Sequence, residues 1–312
     1  MVDDAPASPK VLVGVDGSST AQEALSWAAA EAGRRNVPLV VVYALSMPLA
    51  RRRNTGVFRL LPSDMAVEYA EYVLAHAAEH LRSQRFAGPV KTRLALEKPA
   101  LALLRRSGPE DVIVVGSRGL GALGTAVLGS VGVRLAAQAT CPVVVVHDTH
   151  SPGIEPRRIV VGVDGSECSR RALVFALEQG ARAADASLVV VNSTETPTPF
   201  AAQPLVALSG YPPDRWPERL SKDLVTDMIA QAGEGTVHNV DITVTCTRED
   251  PAHALLAESA EADLVVVGSR GRGGVRGLFL GSVSQSVLHQ ARVPVAIVPH
   301  HSAHAVGTVG RG

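Results

Sequence analysis

The chain has 312 residues, 46% of them hydrophobic, with 30 Lys and Arg against 30 Asp and Glu. That length holds two domains of ordinary size, and that apolar content excludes a disordered chain. Zero net charge gives no drive toward nucleic acid or an anionic membrane surface, and no apolar run approaches the roughly 18 residues of a membrane span.

In chain order, the opening MVDDAPASPK carries neither a cationic nor an apolar secretory segment. Three widely spaced cysteines, Cys141, Cys168 and Cys246, suit a reducing compartment, so the expected location is the cytoplasm. Each cysteine reads as a small buried hydrophobe. Short Val, Ile and Leu runs then alternate with longer helical stretches. Strands are expected near 10–16, 38–45, 90–96, 111–116 and 142–147, and helices near 19–34, 64–86, 99–107 and 129–139. The runs are continuously apolar, as in parallel strands buried on both faces. Ser18 signals an N-cap, with Ala21, Ala24, Leu25 and Ala28 at helical spacing behind it. The fold class is therefore α/β, with an open, doubly wound five-stranded parallel sheet and right-handed crossovers.

The pattern occurs twice. KVLVGVDGSSTAQEAL from Lys10 is answered by RIVVGVDGSECSRRAL from Arg158, and DVIVVGSRG from Asp111 by DLVVVGSRG from Asp263. A period of about 150 residues is a duplicated domain, since solenoid repeats run at roughly 20–50. The expected organisation is a first domain over 1–148, a linker over 149–157, a second domain over 158–300 and a flexible tail over 301–312. Two Pro-rich connections, Ser46 to Ser63 and Thr194 to Pro213, are long for this fold and read as lids or partner surfaces. Arg51, Arg52 and Arg53 in the first read as a solvated loop.

Each half repeats a glycine frame: Gly116, Gly119, Gly129 and Ser130, then Gly268, Gly271, Gly281 and Ser282. The first glycine ends a strand and allows close backbone approach by a ligand. The closing Gly-Ser opens a helix whose first amides lack intrahelical partners, which suits an anion. Arg118 and Arg270 supply positive charge for a polyphosphate. Asp16 and Asp164 end the first strand of each half, beside the fourth at the switch point, where a carboxylate accepts from ribose or an adenine amino group. The same Asp also fits a plain DGS turn. Neither Gly-x4-Gly-Lys-Ser/Thr nor Gly-x-Gly-x-x-Gly occurs here, which argues against a P-loop enzyme or a dinucleotide-binding dehydrogenase.

The VGVDGS openings, the two glycine frames and the closing CPVVVV and VPVAIV strands resemble the ATP-binding universal stress proteins in tandem form. The resemblance runs from Lys10 to about His300. It implies a five-stranded domain of the adenine-nucleotide alpha-hydrolase-like, Rossmann-like kind that binds ATP, with Mg²⁺ a candidate companion of the phosphates, and pairs through its fifth strand. It implies that Asp16 and Val41 meet the nucleoside with Val115 behind the ring, and that Gly116, Arg118, Gly119, Gly129, Ser130 and Val131 meet ribose and phosphates. In the second half the matching positions are Asp164, Val190, Val267, Gly268, Arg270, Gly271, Gly281, Ser282, Val283 and Ser284. The hydroxyl of Ser284 has only Gly132 as its counterpart, so the first site is expected to hold phosphates less firmly. The expected function is an ATP-responsive stress regulator with at most slow turnover, working as a homodimer on a protein partner not identified by the sequence. A Mg²⁺-dependent ATPase or nucleotidyl transferase, and a nucleotide-free interaction module, are the alternatives. His76 and His80 have metal-ligand spacing but no third ligand, so no metal site is assigned.

Overall fold

The computed structural model describes residues 8–46, 49–52, 56–59, 62–119, 129–147, 155–194, 216–232, 240–271 and 280–300. The chain divides into two units between Ile154 and Glu155.

The first unit runs β1 (Val11–Val15), α1 (Ser19–Arg35), β2 (Leu39–Ala44), β3 (Leu49–Arg52), β4 (Gly56–Arg59), α2 (Asp64–Ser83), β5 (Val90–Ala95), α3 (Pro99–Leu104), β6 (Val112–Gly116), α4 (Ser130–Gln138) and β7 (Val143–Val146). Five strands lie in the order β7-β6-β1-β2-β5, every neighbouring pair parallel. The order reverses between β1 and β6. α1 packs with α2 and α3 with α4, the two-faced arrangement that right-handed crossovers produce. The connection after β2 holds something the sequence reading lacked, an antiparallel pair in which Leu49 of β3 faces Arg59 of β4. Residues 149–154 of the 149–157 linker, most of the second Pro-rich connection, Arg53 and the tail over 301–312 lie outside the described residues.

The second unit repeats the plan with β8 (Arg158–Gly162), α5 (Glu167–Ala181), β9 (Ser187–Ser193), α6 (Trp216–Ala232), β10 (Asp241–Thr247), α7 (Pro251–Glu258), a 3₁₀ turn (Ser259–Glu261), β11 (Leu264–Gly268), α8 (Ser282–Gln290) and β12 (Val295–Val298). Its order is β12-β11-β8-β9-β10, again parallel throughout.

Local chemistry sets the first helix. The Ser18 hydroxyl accepts from the Ala21 amide at 3.3 Å to start α1, and Asn36, in the left-handed conformation at φ 53°, ends it. Arg34 and Arg35 lie in the last turn, where the helix dipole favours cations. The buried stripe of Ala21, Ala24, Leu25, Trp27, Ala28 and Ala32 covers β1 and β6. Trp27 and its counterpart Phe175 are both buried, as core residues packed on the sheet should be. Asp111, at the foot of β6, accepts from the Lys10 amide at 2.9 Å and from Lys10 Nζ at 2.8 Å. Asp263 does the same service in the second unit, accepting from the Arg157 and Arg158 amides. A carboxylate, buried in Asp111 and half-buried in Asp263, thus pins the first strand of each unit to the fourth, and hydrogen bonds to charge contribute about 1.5–3 kcal/mol each. Cys141 and Cys168 are buried and Cys246 half-buried, all as free thiols.

Candidate functional site

The site of each unit lies where β1 and β6, or β8 and β11, end side by side. In the first unit Asp16 Oδ1 accepts from the Ser18 amide at 3.0 Å and from the Ser18 hydroxyl at 2.6 Å. This is an Asx turn, and it bends through Gly17 at φ +92°. The turn uses one carboxylate oxygen, and the second faces the glycine frame. A Cβ on Gly119 would stand 2.5 Å from Asp16 Oδ2. In the second unit the Ser166 amide donates to Asp164 Oδ1 at 2.9 Å, Gly165 has φ +82°, and a Cβ on Gly271 would stand 2.6 Å from Asp164 Oδ2.

The frame then closes on itself. The Gly129 amide donates to the Ser117 carbonyl at 2.7 Å, and the Gly281 amide to the Ser269 carbonyl at 2.9 Å. These bonds hold the N-termini of α4 and α8 against the ends of β6 and β11. Neither helix start has a side-chain cap or an acidic residue in its first turn, and Ser130 and Ser282 are exposed there. Among the described residues, the first amides of both helices and their dipole therefore have no capping or acidic side chain from their own first turn.

Three features revise the sequence reading. First, the bare Cα of Gly116 serves helix packing. A Cβ there would come within 2.8 Å of the Thr20 carbonyl carbon and 2.9 Å of its Cβ, and on Gly268 within 2.7 Å of Cys168 Cβ. The first turn of α1 or α5 fills the space on the Cβ side of these glycines. Second, Val41, Val115, Val190 and Val267 are buried within their sheets, which makes their side chains core. Val41 stands opposite Val13, whereas Tyr43 stands opposite Val15 beside Asp16. Third, the Ser284 hydroxyl donates to the Gly268 carbonyl at 2.5 Å, so its proton ties α8 to the strand end. At the Gly132 position the nearest neighbours of a Cβ would be Val145 at 3.4 Å and Val115 at 4.0 Å. Val131 and Val283 are half-buried one residue into their helices, and Arg118 and Arg270 are half-buried beside the strand ends.

In the first unit a side-chain hydroxyl ties the start of α1 to the frame. Ser18 Oγ lies 3.2 Å from Thr20 Oγ1, which donates to the Arg118 carbonyl at 2.6 Å. In the second unit Cys168 stands in place of Thr20, with its sulfur 3.9 Å from Ser269 Oγ. The frames' middle residues, 120–128 and 272–279, lie outside the described residues.

This pair of matched crevices, one per unit, is what the family comparison addresses. A model of the universal stress protein family matches residues 8–147 and again 155–299. The chain belongs to the universal stress protein family. Universal stress protein Rv2005c of Mycobacterium tuberculosis is 33% identical over 295 residues, covering 92% of this chain and 96% of that protein. Universal stress protein Rv2623 of the same organism is 33% identical over 298 residues, with 92% and 95% covered. A universal stress protein structure from Archaeoglobus fulgidus shares the fold with a TM-score of 0.65 at 22% identity, covering 93% of this chain and 96% of that one. This universal stress protein is thus a tandem α/β chain, and among the described residues no helix is long and apolar enough to cross a membrane.

The histidine pair has another use. His80 Nε2 lies 2.8 Å from Ser26 Oγ and its Nδ1 3.0 Å from Gln22 Nε2, which joins α2 to α1. Burial, then the neighbouring His76, holds the His80 pKa below its ordinary value. His76 stacks on Tyr72. Among the described residues no group of three His, Cys, Asp or Glu side chains is placed to hold a metal ion.

Proposed function

We propose that each unit binds one adenine nucleotide, ATP, and that the nucleotide acts as a ligand whose presence sets the conformation read by a protein partner. The observation that carries this reading is the twofold cradle. A strand-end carboxylate oxygen stands where a Cβ of Gly119 or Gly271 would be, beside an uncapped helix start. A carboxylate suits ribose hydroxyls, and bare amides at a helix N-terminus suit phosphates. When bound, the nucleotide would bring its own Mg²⁺, and the chain's residues would bind and orient. Asp16 and Asp164 would accept from the sugar, while Ser130, Ser282 and the amides that follow them in the first turn of α4 and α8 would donate to the phosphates.

The test is mass spectrometry of nucleotide released from the purified protein, followed by calorimetric titration of ATP into the parent, Asp16→Asn and Asp164→Asn. Two equivalents in the parent and one in each variant would support one site per unit. No released nucleotide and no heat in the parent would remove the reading in favour of a nucleotide-free module. Phosphate release at about 1 per second or faster would show an enzyme instead of a ligand-gated regulator. The proposed assembly is a cytoplasmic homodimer, and a monomer by light scattering at every concentration would refute the dimer.

A further inference from the structure

The two crevices have different outer walls. Three of the chain's four tyrosines gather at the first. Tyr43 at the end of β2 meets Tyr69 of α2 edge-to-face, with ring centroids 6.4 Å apart at 75°. Tyr69 meets Tyr72 at 6.5 Å, and Tyr72 stacks on His76 at 6.2 Å. The Tyr69 hydroxyl reaches the Asp16 turn: a Cβ on Gly17 would lie 2.9 Å from it. Burial first, then the Tyr69 phenol and the Asp16 carboxylate, raise the Tyr43 pKa, as three polar groups crowded at one strand end should. Yet Tyr69 is 43% exposed and Tyr72 65%. Aromatic rings ordinarily bury most of their surface, and these two residues keep a large share of theirs in water.

The second unit fills the equivalent places otherwise. Asn192 stands where Tyr43 does, buried, donating to the Val163 carbonyl at 2.6 Å and accepting from the Ser221 hydroxyl of α6. Leu224 covers Gly165 as Tyr69 covers Gly17, its methyl 3.2 Å from an added Cβ. Among the described residues that wall is a polar latch and an aliphatic side chain.

We propose that Tyr69, steadied by Tyr43, is the base-selecting residue of the first site, offering its ring to a purine, and that the second site lacks this selection. The assignment rests on the nucleotide reading above. Every base has a π-face, but purines offer the larger one, and stacking on an aromatic side chain is worth about a tenfold gain or more in affinity. The ring, not the hydroxyl, carries the effect.

The experiment isolates each site within the full chain. Gly271→Val blocks the second crevice, because its side chain would collide with Asp164, and Gly119→Val blocks the first in the same way. In the Gly271→Val background, calorimetry with ATP, UTP and inorganic tripolyphosphate should show ATP preferred over UTP. Tyr69→Leu should weaken ATP about tenfold, bring it level with UTP and leave tripolyphosphate unchanged. Tyr69→Phe should keep the parent's preference. The Gly119→Val protein, reading the second site alone, should bind ATP and UTP nearly alike. An unchanged ATP-to-UTP ratio in Tyr69→Leu, or an equal loss in Tyr69→Phe, overturns the ring assignment while ATP binding stands. A parent that takes up neither ATP nor tripolyphosphate removes the nucleotide reading and this assignment with it.

Discussion

Replacing Gly119 by Ala adds one methyl group at the point where the two halves of the crevice meet. The new Cβ would lie 2.5 Å from Asp16 Oδ2. An ordinary carbon-to-oxygen contact is about 3.3 Å, so the carboxylate must retreat by about 0.8 Å. It cannot retreat freely, because its other oxygen holds the Ser18 amide at 3.0 Å and the Ser18 hydroxyl at 2.6 Å. Gly119 has no positive φ, so alanine meets no backbone penalty there. The cost falls on the carboxylate. Hydrogen bonds to charged groups are worth about 1.5–3 kcal/mol, so losing one to the sugar should weaken ATP about 10- to 100-fold at that site. Calorimetry on Gly119→Ala should show one site near parental affinity and one weakened, with Gly271→Ala as the mirror case at 2.6 Å from Asp164. Two sites of parental affinity in Gly119→Ala would refute the placement of the sugar between this glycine and Asp16.

Gly116→Ala should act on stability. Its Cβ would meet the backbone of Thr20 within 2.8 Å, and overpacking of this kind costs about 1–3 kcal/mol. That corresponds to a Tm lower by about 3–10 °C in calorimetry, with Gly268→Ala alike. For His80, whose pKa is lowered in the folded chain from the ordinary 6.5, the unfolded chain binds the proton more readily. Stability of the first unit should be full above pH 6.5 and fall as the pH drops from there toward the folded pKa. Urea unfolding along that range should show a slope that His80→Gln flattens. Burial, then the Asp111 carboxylate, pushes the Cys141 thiol up to about 12. A thiol reagent at mildly alkaline pH should therefore modify half-buried Cys246 first and reach Cys141 only after denaturation.

The parallel sheets were legible because their strands are unbroken Val, Ile and Leu runs, and in the first unit the expected limits differ from the observed ones by a residue or so, as with 38–45 against Leu39–Ala44. The ends of the helices were less so: α3 stops at Leu104 and α2 at Ser83, where the composition alone stays helical for a few residues more. The β3–β4 pair escaped notice because four-residue arms rich in Arg show neither continuous nor alternating hydrophobicity. Asp16, Asp164 and the glycines stood out because each is repeated at a strand end or before a helix, although a plain Asp-Gly-Ser turn fits the same letters. What each glycine touches was not legible, because Thr20 lies 96 residues from Gly116 and only the fold brings them together. The same holds for the Ser284 hydroxyl. Tyr43 and Tyr69 could have been flagged by one comparison, that of YA closing β2 with NS closing β9, in a chain this poor in tyrosine.

The bond from the Gly129 amide to the Ser117 carbonyl, at 2.7 Å, means that the chain leaves and rejoins the sheet through one clasp. Gly281 and Ser269 form the same clasp at 2.9 Å. Closure entropy rises only with the logarithm of length, so doubling the span between clasped ends costs about 0.6 kcal/mol. Each clasp therefore makes its intervening segment a natural splice point. A foreign peptide or a reporter inserted between the paired residues should leave strand and helix in register, and a tandem chain offers two such ports that can be rewritten independently.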